Sequence, residues 1–344
     1  MSHFFTCESG IRPAAHHPCS LCDSRAAKLI ATKDRDGRPL PTVLCLNCGL
    51  VRTDPMPSAA ELADYYAHRY RRSYKGAWQP EPKRVYRAAR VAADRWRRLK
   101  PHLLASRRVL DVGASSGEFV YLLQTCGKQA EGIEPNENYA RWARDQLGLP
   151  VRTLDWHRAV FPERNFEAIT LFHVLEHLAN PREALTRLAG WLDHDGVLVV
   201  EVPNVESPVG SPKRRFHYAH LHNFNPASLR ETGRCAGLTV RHEEISPDGG
   251  NLTVVFARPA VIQPGVSPGL PGNAERVLQA LQARGNLSYA LAGSTWRRLA
   301  AKLARSYGEH RALRRWHGPR AFLEAVVIES DFQLGAAKLR DSTT

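Results

Sequence analysis

The chain has little that would place it in or beyond a membrane. Among its 344 residues no apolar run approaches the ~20 needed to cross a bilayer. The opening "MSHFFTCESG" lacks the basic-then-apolar pattern of a secretory leader. These absences predict a soluble, cytoplasmic protein. There is no internal repeat and no low-complexity tract, which excludes a repeat array. Acidic residues are scarce: 34 stand against 48 Lys and Arg, for a formal net charge of +14 and a pI near 9.8. That imbalance points to an acidic partner, whether nucleic acid, a phosphorylated substrate or a membrane surface. The length suits roughly two domains with a sizeable core.

What the chain does have begins with cysteine. Four of its seven cysteines form C-x2-C-x22-C-x2-C: Cys19, Cys22, Cys45 and Cys48. Two-residue spacing lets one tight turn aim two thiolates at a single ion, and two such turns complete a tetrahedral site. Gly49 follows the second pair, where positive φ would let the backbone wrap a sulfur. Between the pairs "DRDGRPLPTVLCL" reads as a hairpin. Structural zinc is expected, against a redox dithiol pair or unrelated free thiols. With no open coordination position, such an ion folds its segment rather than catalysing.

Texture divides the rest. Residues 1–57 are expected as a zinc-ribbon module, closed by "DPMPS". Residues 58–105 form a basic helical segment, with 12 Lys and Arg between His68 and Pro101 against Glu81 and Asp94 alone. Residues 106–260 alternate apolar strands with amphipathic helices, the mark of a parallel α/β sheet. Strands are expected at 108–112, 129–133, 150–154, 166–172, 196–202, 237–245 and 251–257. The last two lack a helical crossover and should form an antiparallel hairpin. Helices fall at 117–126, 136–147 and 181–192. A Pro/Gly-rich stretch over 258–273 ends the domain, and residues 261–344 read as a basic, mainly helical extension with a possible strand at "AVVIES".

The stretch "VLDVGASSGEFV", residues 109 to 120, opens a strand into a helix through small residues. Such a turn binds ligands, because the backbone can approach closely and the helix start has unsatisfied N–H groups. Its pattern is D-x-G-x-x-x-G, so the pyrophosphate fingerprint G-x-G-x-x-G is missing. Glu134, 23 residues beyond Asp111, ends the second strand in "EGIEPN". An acid there is placed to accept hydrogen bonds from ribose hydroxyls.

Taken together, "VLDVGASSGEFV", "GIEPN", "FEAITLFHVLEHLANP" and "HDGVLVVEVPN" resemble the class I S-adenosylmethionine-dependent methyltransferases over about residues 106–260. The resemblance implies a Rossmann-like seven-stranded sheet ending in an antiparallel hairpin. It implies that Asp111, Gly113, Ala114, Ser115 and Gly117 surround the methionyl end of S-adenosylmethionine. Glu134 would hold the ribose, Pro135 and Asn136 would flank the adenine, and Asp155 would lie near its amino group. Phe172 and His173 would line the methionyl and sulfonium region. Ser115 departs from the family, standing where a glycine is usual.

Methyl transfer to a hydroxyl or carbon needs alignment and a base. After the fifth strand, His217, His220 and His222 crowd into "RRFHYAHLHNFNPASL", and histidine suits proton removal near neutral pH. No carboxylate sits within this run, which speaks against a metal there. An N-terminal four-cysteine module before this domain also resembles the sugar C-methyltransferases. In that comparison His220 matches the base, while His217 and Ala219 replace the family's Tyr and Glu, and its large C-terminal half is missing. The expectation is methyl transfer to a small polar acceptor, a sugar, nucleotide sugar or glycan. The alternatives are an RNA methyltransferase, with Tyr70, Tyr74, Trp78, Tyr86 and Trp96 stacking on bases among the basic residues, or a non-catalytic zinc-ribbon binding protein.

Overall fold

Seven strands form the central sheet of the computed structural model. It describes residues 17–64, 79–162, 164–208, 214–283, 293–315 and 318–328. In chain order the sheet strands are β4 (Arg108–Val112), β5 (Gln129–Glu134), β6 (Val151–Thr153), β7 (Phe166–Phe172), β8 (Leu192–Pro203), β10 (Thr239–Ile245) and β11 (Asn251–Ala257). They lie in the order β10-β11-β8-β7-β4-β5-β6. All pairs from β8 to β6 are parallel, while β10 and β11 are antiparallel. The inner strands β4, β7, β8 and β11 are largely apolar and buried, as strands covered on both faces are, while the edge strands β10 and β6 carry polar residues. The strand order reverses beside β4, and the crevice outside its carboxyl end is where such sheets bind ligands. The expected α/β fold with its terminal hairpin is therefore present.

Local sequence explains the helices around this crevice. Gly117 enters α3 (Glu118–Thr125) with φ +83°. Asn136 caps α4 (Glu137–Leu147), its side chain accepting from the N–H groups of Asn138 and Tyr139. Pro181 starts α5 (Pro181–Trp191) and Pro226 starts α6 (Pro226–Cys235).

The basic segment holds a short helix, α1 (Ala59–Asp64), and a long one, α2 (Pro82–Leu103). Val85, Ala89, Ala92, Trp96, Leu99 and Leu103 recur at helical spacing on the buried face of α2. This corrects the expectation of stacking aromatics: Tyr86 and Trp96 are core residues, and Tyr86 meets the Phe322 ring edge-on. Tyr70, Tyr74 and Trp78 lie outside the described residues.

The cysteine module is not set apart from the rest. Its strands β1 (Ala27–Lys33), β2 (Pro39–Cys45) and β3 (Val51–Thr53) make an antiparallel sheet that gains a fourth strand, β9 (His222–Asn223). Val51 pairs with Asn223, and Arg52 with His222. Cys19, Leu21, Cys48 and Leu50 share one apolar core with Leu171, Val200 and Phe224. The Pro/Gly stretch is strapped across the module by hydrogen bonds from Ser267 N–H to Leu21 O and from Leu270 N–H to Asn47 O. It leads into α7 (Asn273–Gln282), whose Asn273 side-chain amide donates to Cys48 O at 2.8 Å.

In the C-terminal extension, α8 (Gly293–Arg315) returns to α2, where Arg87 and Lys83 pair with the buried Glu309. Residues 319–328 are helical, so "AVVIES" is no strand as far as Ile328. Helical packing of Phe322, Leu323 and Val326 into the core overrides the β propensity of its valines. No helix among the described residues is long and apolar enough to cross a membrane.

Candidate active site

The glycine turn hangs from the tip of β4. The N–H groups of Gly113 and Ala114 both donate to Ile133 O, at 2.8 and 3.0 Å. Gly113 has φ +78°, and a Cβ there would lie 2.4 Å from Val174 Cγ2. A Cβ on Gly117 would lie 2.6 Å from Leu149 Cδ1. Ser115 sits at φ +51°, a left-handed conformation that glycine adopts without strain. Its N–H donates to Glu134 Oε2 at 2.9 Å, and Asn136 N–H donates to Glu134 Oε1 at 2.9 Å. The acid of β5 therefore ties the turn to the second strand.

Beside this turn opens a cavity of about 310 Å³. Asp111, Gly113, Ala114 and Ser115 line it together with Phe172, and α2 contributes Arg84, Arg87 and Arg95. Asp111 is buried and accepts a hydrogen bond from Thr170 Oγ1 at 2.6 Å. Burial pushes its carboxyl up to about 7, against the pull of Thr170 and Arg95. The Arg95 guanidinium lies 4.1 Å over the Phe172 ring and donates to Glu201 Oε1. Pro135 is exposed next to Glu134, and Asp155 contacts His157 Nδ1 at 2.8 Å; neither lines the cavity.

At the tip of β7, His173 is a second non-glycine residue at left-handed φ, +58°. Its Nδ1 lies 3.3 Å from Glu176 Oε1 and its Nε2 lies 3.4 Å from Glu201 Oε1. Burial disfavours the imidazolium, but the two carboxylates outweigh it and raise the ring to about 9. Arg95, Glu176 and Glu201 were not among the expected site residues. Glu201 stands in "VVEVPN" at the end of the fifth strand, a legible position for a site acid. Arg95 carries no comparable signal.

The three loop histidines do different things. His222 is fully buried, with Nε2 2.8 Å from Ser20 Oγ and Nδ1 3.0 Å from Leu178 O. Both ring nitrogens are engaged, so this residue holds the loop rather than moving a proton. His217 Nδ1 accepts from Ala219 N–H at 3.3 Å. Burial, with its cationic neighbours, pushes His217 down to about 4 and His220 to about 3. A neutral imidazole of such low proton affinity is poorly matched to general-base work near neutrality. His220 instead packs edge-on against His177, with ring centroids 4.9 Å apart.

The four cysteines do converge. Cys19 and Cys48 Sγ are 3.5 Å apart, as are Cys22 and Cys45 Sγ, and all four lie within 4.8 Å of one another. The two turns are built alike. Asp23 N–H donates to Cys19 O and Gly49 N–H to Cys45 O, with φ of +56° at Asp23 and +72° at Gly49. A tetrahedron of ~2.3 Å metal–sulfur bonds has sulfur–sulfur edges of ~3.8 Å, which these separations fit.

Comparison with known proteins defines the class. Residues 84–243 match a family model described as a methyltransferase domain. With the sheet order and the glycine turn, this makes them a domain of the S-adenosylmethionine-dependent methyltransferase class. Among curated proteins, the tRNA U34 carboxymethyltransferase of Idiomarina loihiensis is 34% identical over 145 residues, 38% of this chain and 44% of that protein. The enzyme of the same name from Syntrophotalea carbinolica is 38% identical over 120 residues, 31% of this chain and 36% of that protein. The chain thus spans less than half the length of these two relatives. Among solved structures, the Burkholderia thailandensis 1,6-didemethyltoxoflavin-N1-methyltransferase aligns with a TM-score of 0.44 and 18% identity. That alignment covers 62% of this chain and 97% of that one.

The relatives correct one expectation. A small sugar-like acceptor was expected from the cysteine module and the histidine-rich loop. The curated relatives are named for modification of a tRNA nucleotide. Neither the sugar acceptor nor a small-molecule partner survives that finding. Both motifs behind the expectation serve other contacts: His222 braces the module, and His220 faces Glu176 and His177.

Proposed function

We propose that this protein transfers a methyl group from S-adenosylmethionine to a nucleotide of RNA, with tRNA as the substrate class. The observation that carries the reading is the cavity wall. Arg84, Arg87 and Arg95 project from one helix into the same cavity as the glycine turn. Arg87 and Arg95 are held there by Glu309 and Glu201, and a pocket edged by guanidinium groups so positioned suits an acceptor that brings phosphates with it. The names of the curated relatives support the same class.

In this reading Asp111, Gly113, Ala114, Ser115 and Gly117 receive the methionyl end of the cofactor. Glu134, at the tip of β5, holds the ribose. Pro135 and Asp155 border the adenine, and Phe172 and His173 the sulfonium. The cofactor supplies the electrophilic methyl group. The chain's own residues orient it and exclude water. Cys19, Cys22, Cys45 and Cys48 hold a structural zinc ion, closed to substrate by its four thiolates.

The test is label transfer from methyl-labelled S-adenosylmethionine to total tRNA by the full chain. Ribonuclease-sensitive label is expected. Glu134→Ala should weaken cofactor binding by about 1.5–3 kcal/mol and reduce labelling with it. Protein that binds the cofactor by calorimetry yet labels no RNA would overturn the acceptor class.

A further inference from the structure

A second cluster of ligand-type side chains lies beyond the glycine turn, and no role above uses it as a unit. It forms where the turn after β7, with its short 3-10 stretch Leu175–His177, meets the loop before β9. Glu176 is 1% exposed; its Oε1 meets the His173 ring at 3.3 Å, while its Oε2 accepts no hydrogen bond. A buried carboxylate oxygen left without a hydrogen bond is costly, and a further cation beside it would compensate it. Imidazoles surround it: His173 Nδ1 at 3.3 Å and His177 Nε2 at 3.8 Å from Oε1. Ligand atoms of Glu176, His177 and His220 all lie within 4.8 Å of one another.

The orientation of His177 suits coordination. Its Nδ1 lies 2.8 Å from Ala219 O. A carbonyl can only accept, so Nδ1 carries the proton and the lone pair belongs to Nε2, which faces Glu176. A backbone carbonyl holding the far nitrogen is the usual outer support of a metal-binding imidazole. The same Ala219 contact fixes the loop that carries His220. The cluster is linked to the cofactor turn through its neighbours: Val174, next in the same turn, packs on Gly113, and His173 joins Glu176 to Glu201.

We propose that Glu176, His177 and His220 bind one divalent transition-metal ion beside the cofactor cavity, with coordination positions left for oxygen ligands. Two imidazoles and one carboxylate select manganese, iron, cobalt or zinc over magnesium or calcium, which take oxygen donors. Binding of the ion stands on this geometry alone. Its use rests on the RNA reading: an acceptor hydroxyl on the metal would ionise more readily. Its proton would leave to solvent as the oxygen–methyl bond forms and the carbon–sulfur bond breaks to give a thioether.

The experiment uses the full chain with its cysteine site zinc-loaded, and Mn2+ as the probe. Manganese suits oxygen and nitrogen donors and leaves thiolate sites alone. Titration followed by electron paramagnetic resonance should show one saturable Mn2+ per chain. Glu176→Gln and His220→Asn should each weaken it at least tenfold, while exposed His157→Asn should not. Calorimetric binding of S-adenosylhomocysteine verifies that each variant is folded, and His177→Gln replaces any that is not. Absence of saturable Mn2+, or binding that survives in the folded ligand variants, overturns the site. Label transfer to tRNA is read in the same samples. Saturable Mn2+ without RNA labelling would sink the RNA reading and leave the metal site standing.

Discussion

The two clusters of ligand-type residues among the described residues are built on opposite plans. The cysteine cluster comes from two short turns of the same design, each placing two sulfurs through local backbone hydrogen bonds. Its four sulfurs converge within 4.8 Å of one another and would complete the donor set of a tetrahedral ion, leaving no open position. The Glu176–His177–His220 cluster draws on segments 43 residues apart, brought together only by the sheet and by the Ala219 contact. Its three ligands leave room. Local design yields a closed site that stabilises, and remote convergence yields an open one that can meet a substrate.

The largest test of that contrast is loss of a cysteine. Cys48→Ser should destabilise the protein by roughly 4–5 kcal/mol or more, since structural zinc supplies folding energy outright. Thermal melts together with zinc analysis would show it. A variant that keeps wild-type zinc content and melting temperature would mean the four thiols are not a folding site.

Asp111 lines the cavity beside the glycine turn, and its effect is a matter of pH. Its carboxyl, pushed by burial up to about 7, is protonated below that value in the free protein. A cationic cofactor prefers the carboxylate, so affinity for S-adenosylmethionine should fall about tenfold per unit as pH drops below 7. Above 7 it should level off. The stability of the unliganded fold runs the other way. Its raised acid favours the folded state at low pH, and that share is lost as pH climbs from 3.8 to about 7. Calorimetry from pH 5.5 to 8 should show the slope in the wild type and a flat line in Asp111→Asn. A flat wild-type profile would separate Asp111 from the cofactor.

The smallest effect lies at the seam of the two regions. Ser20→Ala removes the hydroxyl that meets His222 Nε2 at 2.8 Å and leaves a buried ring nitrogen unmatched. A loss of about 1–3 kcal/mol is expected, read by denaturant midpoint. A neutral result would mean that the seam is held by apolar packing alone.

How much of this was legible depended on how local each signal was. The glycine turn, the helix beginning at Asn136 and the paired cysteines are short-range patterns, and each lies where the sequence placed it. Glu176 was hidden, because "HVLEHL" reads as one more turn of amphipathic chain. Only tertiary packing brings its carboxylate beneath His220, supplying the acid that the histidine-rich run lacked. Tyr86 and Trp96 misled for the opposite reason. Aromatic residues among arginines suggest base stacking, yet their helical phase with Ala89 and Ala93 already marks a core face. The acceptor class left no mark in the cysteine-rich segment or at His222, since both hold the fold together.

The short strand His222–Asn223 carries one more consequence. By pairing with Val51 and Arg52, it moors the far end of the histidine loop to the cysteine-bound sheet, while Ala219 moors the middle to the turn after β7. A loop tethered at two points to two independently built elements can change the residues between its moorings and keep its course. The N-terminal module therefore acts as a fixed quay for one end of that loop. Disruption of the four-cysteine cluster would free that end of the loop while the Ala219 contact still held its middle.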